Sequence, residues 1–143
     1  MSEKEVEKTS DEVEYEEAVR AVKSFDNKAK TKLARFKLSG RGGAEVDEDG
    51  AVALLTERVK DNDSDAMWML GLCYEYEMGC EQDVEEAERL YKRSSDGGNV
   101  IGDFLVGNGK DDRGSGVMKV KSLQIKNLKF DNENSDELRN EQI

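Results

Sequence analysis

Three aspartates at alternating positions are the residues of this chain that come nearest to a known chemical site. Asp61, Asp63 and Asp65 reproduce the start of a calcium-binding EF-hand loop, in which oxygen ligands at positions one, three and five bind the ion. However, Ala66 stands where that loop needs a turn glycine, and Leu72 stands where it needs a bidentate glutamate. We therefore interpret these acids as helix caps and predict no metal site.

The rest of the chain offers no complete catalytic or cofactor-binding motif. It contains no histidine, which excludes histidine-dependent triads, cysteine–histidine dyads and imidazole metal ligands. Gly102 and Gly107 have the spacing of a phosphate-binding loop, but Asn108 follows where that motif needs lysine and then serine or threonine. Carboxylates are numerous, yet the sequence places no pair of them on a cleft wall. We therefore predict no catalytic residues and no cofactor.

Composition and charge narrow the range of partners. The 143 residues suffice for one ordinary domain, but only 36% are apolar and 38% are charged, which favours an elongated fold or disordered ends. The net charge of −11 argues against nucleic acid and anionic membrane surfaces as main partners. A protein or peptide partner that carries basic residues is favoured instead.

Cellular location is predicted from the segments that the sequence lacks. No apolar run approaches the roughly 18 residues that span a bilayer, and the acidic N-terminus has no apolar segment typical of a secretory signal. On one continuous helix, Cys73 and Cys80 would lie roughly 10 Å apart, too far for a disulfide. We predict two free thiols in a cytoplasmic or nuclear protein with no signal peptide or transmembrane segment.

Helical periodicity indicates the elements that position these residues. Residues 65–99 contain two apolar stripes at helical spacing, separated by a turn at Gly79 and ended by Gly97 and Gly98. Gly71 on the first stripe and Ala87 on the second are small enough to let two helix axes cross closely. The larger residues around that crossing are Leu70, Tyr74 and Tyr91.

This hairpin resembles the Sel-one-like repeat, a relative of the tetratricopeptide repeat. The family pattern is Ala-x-x-x-Leu-Gly-x-x-Tyr, then Gly-x-Gly-Val, and later Asp, Ala, Tyr and a terminal Gly-Asn. The chain departs from it at Glu77, Cys80 and the Ser94-Ser95 pair. The matching residues are Ala66, Leu70, Gly71, Tyr74, Gly79, Asp83, Ala87, Tyr91, Gly98 and Asn99. The resemblance implies an all-α fold, a right-handed α-solenoid of antiparallel helical hairpins in tetratricopeptide-like arrangement.

The pattern recurs along the chain at a spacing of 36 or 37 residues, which is typical of a repeat array. Ala29 and Gly42 precede Ala66 and Gly79 by 37 residues, and Gly71 precedes Gly107 by 36. We predict an acidic disordered tail over 1–12, a repeat domain over 13–130 and a polar tail over 131–143. The domain divides into a half repeat (13–28), two complete repeats (29–65 and 66–101) and a degenerate repeat (102–130).

The last repeat is the least certain from sequence. Five glycines between residues 102 and 116 lower helix propensity, so we expect a short helix there. Residues 117–130 fit a final helix by repeat phase, but their alternating β-branched character also allows a strand.

The resemblance also implies a binding face, because the first helix of each tetratricopeptide-like hairpin lines the concave side. Trp68, Leu72 and Tyr76 then form one ridge at four-residue spacing, which the hairpin core does not require. Alternatively, Trp68 packs against the second helix of the preceding repeat. The predicted partner-binding residues are Asp65, Trp68, Leu72, Glu75, Tyr76, Thr31, Arg35 and Leu38.

The function that follows is a non-enzymatic protein–protein interaction module, an adaptor or scaffold that binds a peptide or helix on its concave face. The alternative is a structural or regulatory fragment of a larger repeat protein. A hydrolase is a third possibility that the resemblance raises, because some family members are linked to β-lactam hydrolysis. That activity is associated with a disulfide-rich version of the fold, which this chain does not match.

Overall fold

Every regular element in the residues that the structure describes is a helix. The computed structural model describes residues 7–107 and 115–130. Residues 117–130 belong to the last of these helices, so the strand alternative is wrong. The helices are α1 (Ser10–Lys23), α2 (Asn27–Ser39), α3 (Glu48–Lys60), α4 (Ser64–Glu75), α5 (Val84–Asp96), α6 (Val100–Val106) and α7 (Ser115–Phe130), with a 3₁₀ turn at Arg41–Gly43.

The helices begin where short polar side chains can satisfy the free N–H groups of a first turn. Asp63, for example, accepts hydrogen bonds from the backbone N–H groups of Asp65 (3.0 Å) and Ala66 (3.2 Å). The interpretation of this aspartate as a cap is therefore confirmed. The residues that cap α1 to α6 in the same way are Thr9, Asp26, Asp47, Asp63, Asp83 and Asn99.

Gly42 and Gly79, which are 37 residues apart in the sequence, make the same kind of contact in the structure. Gly42 and Gly79 have positive φ angles of 67° and 76°, and each loop lies against the start of an earlier helix. A Cβ on Gly42 would meet the carbonyl of Asp11 in α1, and a Cβ on Gly79 would meet the carbonyl of Glu48 in α3. Since α1 and α3 make the same contact, α1 takes the position of a second helix from a preceding unit.

Successive helices pack as antiparallel hairpins around one core, and the predicted all-α solenoid is confirmed. The α4–α5 hairpin crosses at Gly71, where a Cβ would lie 2.5 Å from the Tyr91 ring and 3.3 Å from the carbonyl oxygen of Ala87. The predicted close crossing is therefore present. Across the described residues, the largest fully buried side chains are Trp68, Tyr91, Phe36, Leu55, Leu72, Leu90 and Leu105.

The start of α1 differs from the sequence expectation, whereas the length of α6 agrees with it. α1 begins at Ser10, inside the stretch 1–12 predicted as a tail, because Thr9 caps it by accepting from the N–H of Glu12 at 3.1 Å. α6 is only 7 residues long, as the glycine content predicts, and Gly107 caps its C-terminal end. Residues 1–6 and the predicted tail at 131–143 lie outside the described residues.

The position of α7 is the main departure from the expected repeat order. Repeat phase predicts that α7 is the second helix of a final hairpin, but α7 also reaches back to α2 and to side chains of α4. It therefore lies across the first helices of the hairpins. In the described ranges, no helix combines the length and the apolarity that crossing a bilayer requires.

Candidate functional site

The candidate site is the face formed by α2, α4 and α6, the first helix of each hairpin. We call it the inner face. α7 lies on it, and the Nη2 atom of Arg41 donates a 2.8 Å hydrogen bond to the carbonyl oxygen of Leu128. α7 contains four lysines and no acidic residue, whereas the whole chain has a net charge of −11. A basic helix thus covers one face of an acidic protein.

An aromatic pair anchors the C-terminal end of α7. The rings of Phe130 and Trp68 are stacked, with centroids 6.0 Å apart and planes at 23°. Both side chains are buried, at 6% and 2% exposure. The indole Nε1 of Trp68 donates to Asp65 Oδ1 at 3.1 Å, and the side-chain amide of Asn99 donates to the same oxygen at 2.7 Å. The orientation of the Trp68 ring is therefore set by both a ring contact and a hydrogen bond.

A buried carboxylate lies against the middle of α7. Glu75 is 4% exposed. Its Oε1 accepts from the hydroxyl of Tyr91 at 2.8 Å, and its Oε2 accepts from the hydroxyl of Ser122 at 2.6 Å. The hydroxyls of Ser122 and Tyr76 also lie 2.8 Å apart. This network joins α4, α5 and α7 through one carboxylate, and a buried carboxylate needs such donors.

Burial raises the pKa of both phenols in this network. Desolvation is the main cause for Tyr91, and the negative charge of Glu75 adds to it. Desolvation is also the main cause for Tyr76, although its hydrogen bond with Ser122 acts in the opposite direction. Both hydroxyls therefore stay protonated well above neutral pH and can donate.

Lysines of α7 lie over aromatic rings that the inner face presents. Lys126 Nζ is 5.5 Å from the centroid of the Tyr76 ring, and Lys121 Nζ is 5.4 Å from the centroid of the Phe104 ring. Both distances are within the range of a cation–π interaction. The inner face therefore contacts basic side chains of α7 through aromatic rings.

The inner face continues into an open cavity beyond Phe130. This cavity has a volume of about 610 Å³. Lys129 of α7 contributes to its wall, so it directly adjoins the covered part of the face. Four predicted partner-binding residues line it, namely Thr31, Arg35, Asp65 and Trp68.

The eight predicted partner-binding residues differ in how accessible their side chains are on the inner face. Trp68 and Leu72 are buried in the core, at 2% and 0% exposure, so the expectation that they form an open ridge outside the core is wrong. Thr31 and Leu38 are buried too, because Thr31 donates to Asp63 Oδ2 at 2.6 Å and Leu38 belongs to the core cluster. The side chains that remain accessible are Asp65, which is exposed, and Tyr76 and Arg35, which are half-buried.

Sequence reasoning missed the residues of α7 that cover this face. Ser122, Lys126 and Phe130 follow each other at four-residue spacing, which places them on one face of a helix. That spacing was available as a signal once residues 117–130 were taken as helical. Glu75 was predicted to be a partner-binding residue, and its burial against Tyr91 and Ser122 could not be read from any local pattern.

The cysteines and the aspartate cluster take structural positions. Cys73 is buried and Cys80 is half-buried, and both are free thiols. Burial raises the pKa of Cys73 and of Cys80. Asp61 forms an ion pair with Arg58 at 2.9 Å. Within residues 7–107 and 115–130, no three metal-binding side chains gather closely enough to hold an ion.

Comparison with known proteins identifies the two central hairpins. The family model described as Sel1 repeat matches residues 27–57 and 64–99, the α2–α3 and α4–α5 hairpins. The chain contains two Sel1 repeats. The two matched stretches include the Gly71 crossing and end at Asn99, the cap of α6. Sel1 repeats generally mediate protein–protein interactions and are typically non-catalytic.

A solved structure supports the fold. The crystal structure of a Sel1 repeat protein from Oxalobacter formigenes matches with a TM-score of 0.54 and 23% sequence identity. The match covers 75% of this chain, and the chain spans 45% of the length of that structure. A comparison with curated protein sequences finds no match.

Proposed function

We propose that this Sel1 repeat protein is a non-enzymatic adaptor or scaffold whose inner face binds a peptide or helix of another protein. The proposed partner carries basic residues, and neither nucleic acid nor a membrane surface is its main target. The proposed location is cytoplasmic or nuclear. The negative net charge of the chain, −11, supports a basic partner, because it disfavours phosphate-rich surfaces.

One observation carries the proposal: the inner face already holds a helix. α7 lies on it through a stacked aromatic pair, a buried hydrogen-bond network and two lysine–aromatic contacts. A surface that accepts an amphipathic helix of its own chain has the shape and the chemistry to accept one from a partner. The cavity of about 610 Å³ beside Phe130 offers further room on the same face.

The predicted residues have separate roles in this proposal. Trp68, Leu72 and Leu38 form the apolar floor, with Thr31 at its edge. Tyr76 and Arg35 provide accessible side chains that can contact a partner directly. Asp65 and Glu75 favour basic residues over acidic ones.

The proposal is tested by capture of a partner with the full-length chain and with variants of accessible residues. Tyr76→Ala and Arg35→Ala alter the inner face, while Lys92→Ala alters the exposed surface of α5 and serves as the matched control. The expected result is that one partner is captured by the wild type and by Lys92→Ala, and lost by the two inner-face variants while circular dichroism shows that they remain folded. The purified partner is then titrated against the fluorescence of Trp68, the single tryptophan of the chain. Equal capture by all four proteins would contradict the proposed face.

A structural or regulatory role within a larger repeat protein is the second candidate. It is favoured by the cover that α7 places over the inner face, since a covered face serves stability as well as binding. In that case the inner-face variants would lower the melting temperature without changing the captured proteins.

A further inference from the structure

α7 meets the inner face through a regular three-residue pattern. Ser122, Lys126 and Phe130 lie at four-residue intervals and so share one side of the helix. Ser122 reaches Glu75, Lys126 lies over the Tyr76 ring, and Phe130 stacks on Trp68. The opposite side of α7 is exposed, including Val120 at 60% and Leu128 at 64%.

We infer that α7 occupies the place of a partner helix, and that this partner is a basic amphipathic helix with the same three-residue pattern. The pattern is a hydrogen-bond donor for Glu75, a basic side chain four residues later over Tyr76, and an aromatic ring four residues after that on Trp68. This inference rests on the proposed function, which it extends by naming the partner's chemistry and its competitor within the chain.

The donor position follows from the burial of Glu75. Its Oε1 is satisfied by Tyr91 within the hairpin, but its Oε2 receives its hydrogen bond from Ser122 of α7. A helix with an apolar side chain in that position would remove one of the donors that a buried carboxylate needs, which is unfavourable. Glu75 therefore selects for a hydroxyl or amine at the first position.

The other two positions follow from two aromatic rings, Trp68 in α4 and Tyr76 directly after it. Trp68 presents a flat ring that an aromatic side chain covers, and the hydrogen bond to Asp65 holds that ring in orientation. Tyr76 presents the face of its ring to Lys126, and an acidic side chain in the same position would be repelled by the negative face of the ring. The net charge of the chain, −11, adds to the preference for a basic helix.

Competition between α7 and a partner helix follows from linkage. A ligand that needs an uncovered face can bind only those molecules in which α7 has left the face. Its apparent affinity is therefore its intrinsic affinity multiplied by the uncovered fraction. α7 is part of the same chain, so it competes at a high effective concentration. Variants that weaken the contact of α7 should therefore strengthen the binding of an added helix.

The test uses the full-length chain and a fluorescent synthetic peptide with the sequence of Ser115–Phe130, measured by anisotropy. Phe130→Ala in the full-length chain should bind this peptide about tenfold more tightly than the wild type, because the stacked contact of the competitor is lost. Lys126→Ala, which leaves the aromatic anchor in place, should show a smaller gain in the same direction. Leu128→Ala changes an exposed side chain of α7 and should bind as the wild type does. Circular dichroism checks that each variant remains folded.

The peptide provides the complementary measurement. Replacing its phenylalanine or its central serine by alanine should abolish most of the binding to the Phe130→Ala chain. The inference is overturned if the altered peptides bind as well as the original, or if Phe130→Ala and Lys126→Ala bind the peptide no better than the wild type. Dimers of the wild type that disappear in Phe130→Ala would also overturn it, because the occupant would then be α7 of a second copy. These outcomes do not depend on a natural partner, so they are distinguishable from failure of the capture experiment.

Discussion

Replacing Gly71 by alanine tests the closest helix crossing in the molecule. An added Cβ would lie 2.5 Å from Cε1 and 2.8 Å from Cδ1 of the Tyr91 ring. Tyr91 is 1% exposed, and its hydroxyl is held by Glu75 at 2.8 Å. The ring therefore has little freedom to move away from the new methyl group.

The expected cost follows from two opposing contributions. Alanine is favoured over glycine inside a helix by about 1 kcal/mol. Against this, the ring must retreat by roughly 1 Å to reach normal carbon–carbon separation, which breaks its hydrogen bond to Glu75. Overpacking costs typically 1–3 kcal/mol, and the loss of a hydrogen bond to a charged group costs roughly 1.5–3 kcal/mol. We expect Gly71→Ala to lower the free energy of unfolding by about 1.5–5 kcal/mol, and Gly71→Leu to lower it further.

The measurement is urea denaturation followed by circular dichroism at 222 nm. Gly97→Ala is the matched control, because a Cβ at Gly97 would meet its nearest neighbours at 3.4–3.5 Å, which is ordinary contact. In a Tyr91→Phe background, the cost of Gly71→Ala should fall by about 1.5–3 kcal/mol, since no hydrogen bond remains to be broken. A Gly71→Ala protein as stable as the wild type would refute the argument, because it would show that the Tyr91 ring can move at no cost.

Three further predictions concern the two thiols, the helix cap Asn99, and Trp68 of the inner face. Iodoacetamide should modify Cys80 and spare Cys73 in the folded protein, because Cys73 is buried and burial raises its pKa; equal labelling in a peptide mass spectrum would contradict this. Asn99→Ala should lower the free energy of unfolding by about 1–2 kcal/mol, because Asn99 accepts from two N–H groups of α6 and also donates to Asp65; a change below the error of urea denaturation would show that water replaces it. Trp68→Ala should cost about 3–5 kcal/mol by the same measurement, as for a buried core residue, and a wild-type melting curve would mean that the inner face is open in solution.

The local elements of the fold follow from the sequence alone. The close crossing at Gly71 and Ala87 was predicted from two small residues at helical spacing, and the structure contains it. Asp63 was predicted as a cap from its residue type, because the aspartate cluster does not complete a calcium loop, and the structure confirms it. Helix caps and apolar stripes involve residues within a few positions of each other, so their physics is contained in short stretches of chain. The recurring spacing then predicts how one hairpin stacks on the next.

The sequence predicted which helices form the binding face, but only the tertiary structure showed that α7 covers it. Repeat alignment placed Trp68, Leu72 and Tyr76 on the side of the first helices, but it could not show that α7 covers them. That arrangement depends on contacts between residues far apart in the chain, such as Tyr76 with Ser122, 46 residues later, and Arg41 with Leu128, 87 residues later.

These contacts of α7 do not recur at the repeat spacing, because α7 packs across the array of hairpins and does not extend it. Whether a basic helix lies on this face depends on the stacking of Phe130 on Trp68 and on a donor for the buried Glu75. Both conditions are met only once α4, α5 and α7 are placed together. Local propensity therefore determined the helices and their hairpins, while the burial of the inner face was decided by shape and by the need of one carboxylate for hydrogen-bond donors.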